Sequence, residues 1–136
     1  MSSAQRGLLD TSALIGLGEL DPADLPEVCL VAAVTLAELS AAPLITDDIG
    51  QRGARQALLQ QVERDFDIAP FDADCARALG QVSADLRRAG RKTSARAIDA
   101  LIAATALALG VPLYTRNPDG FEHIGRLAVV PLPPHP

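Results

Sequence analysis

The run Val28-Cys29-Leu30-Val31-Ala32-Ala33-Val34 contains no polar side chain, and no other segment limits the possible folds as much. A strand with one wet face alternates apolar and polar residues. A continuous apolar run marks a strand covered on both faces, as in parallel sheets packed between helices. Other segments fit that architecture. Gly7 to Asp10 reads as a short apolar strand, and Thr11 to Gly18 as a helix with Thr11 or Ser12 near its cap. Leu20 to Glu27, interrupted by Asp-Pro and Leu-Pro, reads as loop. Thr35 and Glu38 have the spacing of a capping box, which predicts a helix starting at Thr35 and running to about Ala42, before Pro43. A helix over about Asp48 to Phe66 carries the apolar stripe Leu58, Leu59, Val62 and Phe66.

Further on, Asp67 to Phe71 predicts a strand, and a helix from Asp72 or Ala73 reaches about Ala89. Thr93 to Gly110 contains a nearly uncharged helix with Gly110 as its natural stop. Pro112 to Thr115 is a strand, Asn117-Pro118-Asp119-Gly120 a turn, and Leu127 to Leu132 a last strand. Strands alternating with helices predict a single α/β domain with a central, mainly parallel sheet flanked by helices. The Pro-rich tail from about residue 133 cannot pair and is expected to fray.

Three carboxylates interrupt these apolar segments. Asp10 ends the run Leu8-Leu9, Glu38 lies between Ala37 and Leu39, and Asp99 is the sole charge between Ala97 and Gly110. Asp10 alone is accounted for as a helix cap, and Glu38 alone as the capping-box acid. Asp99 is not, because Ile102, Ala103 and Ala106 share its helix face. Jointly, three ionised acids in one hollow would repel strongly; two carboxylates ~4 Å apart repel by about 4 kcal/mol at an effective dielectric of about 20. A divalent cation turns that penalty into binding energy, and all-oxygen ligands suit Mg²⁺ or Mn²⁺. Sites in parallel sheets form at the carboxyl ends of strands, where Asp10, Glu38 and the 115–120 loop would meet. If so, neutralising Asp10 or Asp99 should relieve repulsion and leave a folded, even more stabilised protein.

Composition narrows the class. The chain has 136 residues, enough for one domain with a core of Leu, Val, Ile and Ala, since aromatics make up only 3%. A net charge of −5 argues against nucleic acid as partner until its distribution is considered. Five of the twelve basic residues, Arg87, Arg88, Arg91, Lys92 and Arg96, lie just ahead of Asp99 and are candidates for contact with a phosphate backbone, as is Arg116. Cys29 and Cys75 fit no ligand spacing and read as buried thiols of a reducing compartment. His123 and His135 fit no histidine-based nuclease or zinc site; His123 is expected at the surface. Without an apolar leader, and with a longest apolar stretch of 97–109, the chain is expected in the cytoplasm.

Leu-Leu-Asp-Thr-Ser-Ala-Leu-Ile at 8–15, Val-Thr-Leu-Ala-Glu-Leu at 34–39, Asp-Ala-Leu-Ile-Ala-Ala-Thr-Ala at 99–106 and Tyr-Thr-Arg-Asn-Pro-Asp-Gly-Phe at 114–121 resemble the PIN-domain ribonucleases, specifically VapC-type toxins of bacterial type II toxin–antitoxin pairs. The resemblance implies a three-layer PIN fold and Mg²⁺- or Mn²⁺-dependent endoribonuclease activity leaving 5′-phosphate and 3′-hydroxyl ends. On matching positions it implies Asp10 and Asp99 as metal ligands, and Glu38 as a ligand directly or through water. Thr11, Ser12, Thr115 and Asn117 would support them. It implies an antitoxin partner of the VapB type and a homodimer, with the 48–66 and 73–89 helices as candidate contact surfaces. One position departs: the family's fourth acid would fall at Gly120, leaving Asp119 or Asn117 to replace it. That departure keeps open a weak or inactive RNA-binding or interaction module.

Overall fold

The computed structural model describes residues 4–92 and 96–136. Its centre is a five-stranded sheet: β1 (Arg6–Leu9), β2 (Val28–Ala32), β3 (Asp67–Ala69), β4 (Leu113–Thr115) and β5 (Val129–Pro131), in the order β3-β2-β1-β4-β5. Every pairing is parallel, so the sheet goes further than the mainly parallel expectation. The helices are α1 (Thr11–Leu14), α2 (Ala33–Ala41), α3 (Ile49–Asp65), α4 (Ala73–Arg88) and α5 (Ala97–Leu109).

The two sheet faces are read directly from alternate residues. Leu8, Leu30, Ala32 and Leu113 pack with Val82 and Leu86 of α4 and Ala103 and Ala106 of α5. Leu9, Val31 and Tyr114 face the other way, against Leu14, Leu39 and Val62 of α1, α2 and α3. Both faces are therefore covered, as the apolar run at Val28 requires. Close approach is needed where β1 passes Tyr114: a Cβ at Gly7 would collide with the Tyr114 ring and with Pro26.

Several boundaries differ from expectation for local reasons. The 11–18 helix stops at Leu14, because Ile15 is extended and Gly16 adopts a left-handed φ of 74° before a 3₁₀ turn at Leu17–Glu19. The helix expected to begin at Thr35 starts at Ala33 with no side-chain cap, so Thr35 lies inside α2, fully buried. Pro43 does not end the path abruptly but sits in a 3₁₀ turn, Ala42–Leu44. α3 and α4 match closely, capped by Asp48 and Asp72, whose carboxylates accept from the Gln51 and Cys75 amides. Strands β3 and β5 are shorter than read. Thr93 to Ala95, the first residues of the segment expected to contain the last helix, lie outside the described residues. Cys29 and Cys75 are free thiols, half-buried and buried, whose pKa values burial pushes up. Among the described residues no helix is long and apolar enough to cross a membrane.

Candidate functional site

Asp10 follows the last residue of β1, and its side chain is held on every side. As N-cap of α1 it accepts the Ala13 amide at Oδ1, 3.0 Å. Ser12 Oγ donates to the same oxygen at 2.7 Å, and Thr115 Oγ1, at the end of the adjacent β4, donates to Oδ2 at 2.6 Å. The two hydroxyls are themselves fixed, for Ser12 Oγ accepts the Arg116 amide at 3.1 Å and Thr115 Oγ1 the Asn117 amide at 2.9 Å. Each hydroxyl thus receives one backbone proton and gives its own to Asp10. With only 4% of its surface exposed, Asp10 joins two strands that are adjacent in space and more than a hundred residues apart in the chain. Thr11, its neighbour, turns toward α2 and donates to Glu38 Oε1 at 2.6 Å, with the Thr35 hydroxyl 3.4 Å away.

Asp99 enters from the first turn of α5. It is half-buried and, among the described residues, accepts no hydrogen bond. Burial raises its pKa, and the charges of Asp10 and, less strongly, Glu38 raise it further, while Arg96 opposes them. Asp10, Glu38 and Asp99 line one open cavity of about 460 Å³, together with Thr11, Ser12 and Asn117. Arg96 lines it too.

The chemistry of the donor set fits a hard divalent cation: carboxylates of one sign, one of them without a donor among the described residues, repelling one another across a shared hollow. Among the described residues no three acids, histidines or cysteines are close enough together to hold a metal ion. An ion there would be held directly by one or two of Asp10, Glu38 and Asp99 and would keep several waters, as Mg²⁺ commonly does.

The remaining candidates separate. Thr11, Ser12, Thr115 and Asn117 all belong to the site or its bracing. Asp119 is exposed on the 3₁₀ turn Pro118–Phe121 and does not line the cavity, so the structure does not bring it to the other acids. The position beside it does reach the site, since a Cβ on Gly120 would stand 3.1 Å from Asp99 Oδ2 and 3.3 Å from Asn117 Nδ2. Arg116 is a correction. Its side chain is buried, its guanidinium donates to the Gly16 carbonyl at 2.7 Å, and its Nε finds no partner among the described residues, so it braces the 12–16 loop and presents no charge to solvent. Of the basic cluster, Arg88 pairs with Asp85, and Arg91 approaches Glu122 at 3.7 Å. Arg87, Arg91 and Lys92 share a shallow pocket of about 590 Å³, apart from the acidic cavity. His123 is on the surface, as expected.

A residue the sequence reading missed is Thr35, taken for a cap and in fact a buried neighbour of Thr11; a threonine flanked by Val34 and Leu36 was the available signal. Also missed was an apolar groove of about 780 Å³ between the Leu14–Gly18 segment and α3, lined by Ile15, Leu39, Ile45 and Leu58. Ile45 and Ile49 beside it are exposed by 77% and 85%. The groove involves the expected 48–66 surface. The apolar side of α4, by contrast, is spent on the core against α5.

The sequence of the PIN domain family matches this chain over residues 8–127. Ribonuclease VapC8 of Mycobacterium tuberculosis is 38% identical over 103 residues, which cover 74% of this chain and 89% of that protein. The fold superposes on the crystal structure of VapBC-5, a member of the VapBC family of toxin–antitoxin systems from Mycobacterium tuberculosis. There the TM-score is 0.79 and the identity 34%, with 91% of this chain and 94% of the other covered. VapBC2 from Rickettsia felis, solved bound to a DNA fragment from its promoter, is alike in fold at TM-score 0.77 and 20% identity, covering 94% and 99% of the two chains.

Proposed function

The chain belongs to the PIN domain family, and from that premise we propose that it is a Mg²⁺-dependent endoribonuclease, the toxin component of a VapBC-type module. The observation that carries this reading is Asp99: a half-buried carboxylate without a hydrogen bond among the described residues, lining one cavity with Asp10 and Glu38, whose charges repel it. A chain stabilised only by its own contacts has no use for such a group. When bound, Mg²⁺ (or Mn²⁺) would lower the pKa of a coordinated water and offset charge on the phosphoryl oxygens.

The chain's residues supply position. Asp10 offers a carboxylate with little freedom, because Ser12, Ala13 and Thr115 fix both oxygens. Thr11 fixes Oε1 of Glu38, leaving Oε2 to orient an attacking water or to ligate. Asp99 completes the acidic wall. RNA would run from the cavity toward Arg87, Arg91 and Lys92, and in-line attack would leave 5′-phosphate and 3′-hydroxyl ends.

A VapB-type antitoxin is the proposed partner, and the apolar groove beside α3 is the proposed seat for it or for a second copy in a homodimer acting in the cytoplasm. The second reading, an inactive RNA-binding or interaction module, draws on Gly120, which leaves the cavity without a fourth acid. Incubation with total RNA, with Mg²⁺ and with EDTA, tests the enzyme. Cleavage that needs the metal and disappears in Asp99→Asn is expected. Undiminished cleavage by that variant would refute the site, and intact RNA combined with no Mn²⁺ heat in calorimetry would favour the module.

A further inference from the structure

Asp10 and Arg116 are the two charged residues, among those described, that folding almost wholly buries, at 4% and 7% exposure. Their signs are opposite, yet no carboxylate among the described residues lies within ion-pair distance of the Arg116 guanidinium. Its Nη2 donates to the Gly16 carbonyl at 2.7 Å, and its Nε is buried without a partner among the described residues. The Gly16 carbonyl does not depend on that bond, for it also accepts the Glu19 amide at 3.0 Å. A buried cation with no counter-ion and an unused donor destabilises a fold, and an apolar side chain of similar length would fill the same space without that penalty. Stability therefore does not account for Arg116.

Its connections do. The Arg116 amide donates to Ser12 Oγ at 3.1 Å, and Ser12 Oγ donates in turn to Asp10 Oδ1 at 2.7 Å. One residue thus grips both ends of the Ser12–Gly16 segment, with its main chain at one end and its side chain at the other. Between them lie Ala13, whose amide holds Asp10, and Ile15, which lines the acidic cavity. Helix α1 is a single turn, and Ile15 and Gly16 after it leave helical geometry, so the segment has little regular structure of its own to fix it. We propose that Arg116 is a positioning residue of the acidic cavity: its guanidinium holds the 12–16 segment, so that Ser12 and Ala13 stay on Asp10 and the carboxylate is preset for a cation. The hold is a property of this chain's own contacts, while its use for a cation rests on the proposed metal site.

Two readouts on the full chain separate the hold from the metal: amide hydrogen exchange without metal, and Mn²⁺ titration by calorimetry. Arg116→Met should keep or exceed the wild-type urea midpoint. Its Ala13 and Ile15 amides should exchange faster by about tenfold or more, while the Phe66 amide, bonded to the Val62 carbonyl at the end of α3, stays unchanged. Mn²⁺ should bind this variant about tenfold more weakly, as when a group that orients a metal ligand is lost. Arg116→Lys, which keeps a donor for Gly16, should stay within about threefold of wild type in both readouts. A merely structural arginine would give the opposite pattern, a lower midpoint and faster exchange throughout with Mn²⁺ affinity unchanged. That pattern, wild-type exchange at Ala13 and Ile15 in Arg116→Met, collapse of that variant, or losses in Arg116→Lys as large as in Arg116→Met would each overturn the proposal. Faster exchange in Arg116→Met with no Mn²⁺ binding by the wild-type protein would instead overturn the metal site and leave the hold standing.

Discussion

The two halves of the acidic cavity are built on different terms. On the strand side, Asp10 receives three hydrogen bonds from residues that are themselves bonded, and it is nearly inaccessible to water. On the helix side, Asp99 stands half-buried among like charges with no donor of its own among the described residues, with Gly120 close beside it and Arg96 opposing the other acids. The first half is made by folding and contributes to it. The second is left by folding with its charge partly desolvated and opposed by its neighbours. A functional site needs both: a fixed reference, and a group whose electrostatic demand the protein leaves unmet.

That contrast can be broken most forcibly at Asp10. Asp10→Ala removes a helix cap and the acceptor of the Ser12 and Thr115 hydroxyls, and should cost about 2–4 kcal/mol in urea melts besides abolishing cleavage. Asp10→Asn, which keeps one oxygen, should cost about 1 kcal/mol, since an amide proton then opposes the Thr115 hydroxyl. Either loss would run against the expectation that neutralising Asp10 relieves repulsion and stabilises. Thr115→Val comes next, because it deprives both Asp10 and the Asn117 amide of a partner, at about 1–2 kcal/mol.

Asp99→Asn should run the other way. Folding raises the Asp99 pKa, so the native chain binds that proton more tightly than the unfolded chain. Metal-free stability from this group is therefore greatest below the usual carboxylate range and falls as pH rises toward the raised native value. Asp99→Asn should remove that fall and gain under about 1 kcal/mol at pH 7, because half of the group meets water and is screened. Melts at pH 4 and pH 7 without metal check it, and equal pH dependence in the two proteins would count against the contrast. Smallest of all is Ile49→Ser, at 85% exposure, which should change stability by no more than about 0.5 kcal/mol while weakening any partner seated beside α3.

Strand-and-helix order was legible because burial on both faces leaves continuous apolar runs, and because Asp48, Asp72 and Gly110 mark helix ends chemically. The three principal acids were legible for the opposite reason, as charges interrupting those runs. What stayed hidden depended on direction. Thr35 and Glu38 have capping-box spacing, but α2 begins two residues before Thr35, and nothing local reveals that Thr11 will claim Glu38. Arg116 reads as a surface cation next to a turn, and only the packing of the Gly16 loop turns it inward. Asp119 and Gly120 are neighbours in sequence, yet the 3₁₀ turn exposes the first and points the second at Asp99.

The sheet order has a consequence for how such a protein is made. The chain lays down β1, β2 and β3 on one side before crossing back to add β4 and β5 on the other, so Asp10 waits for Thr115 until the last quarter of the polymer exists. A ribosome that has released everything through α4 has delivered Asp10 and Glu38 but neither Asp99 nor the hydroxyl that fixes Asp10. A site assembled in this order stays incomplete until synthesis is nearly over.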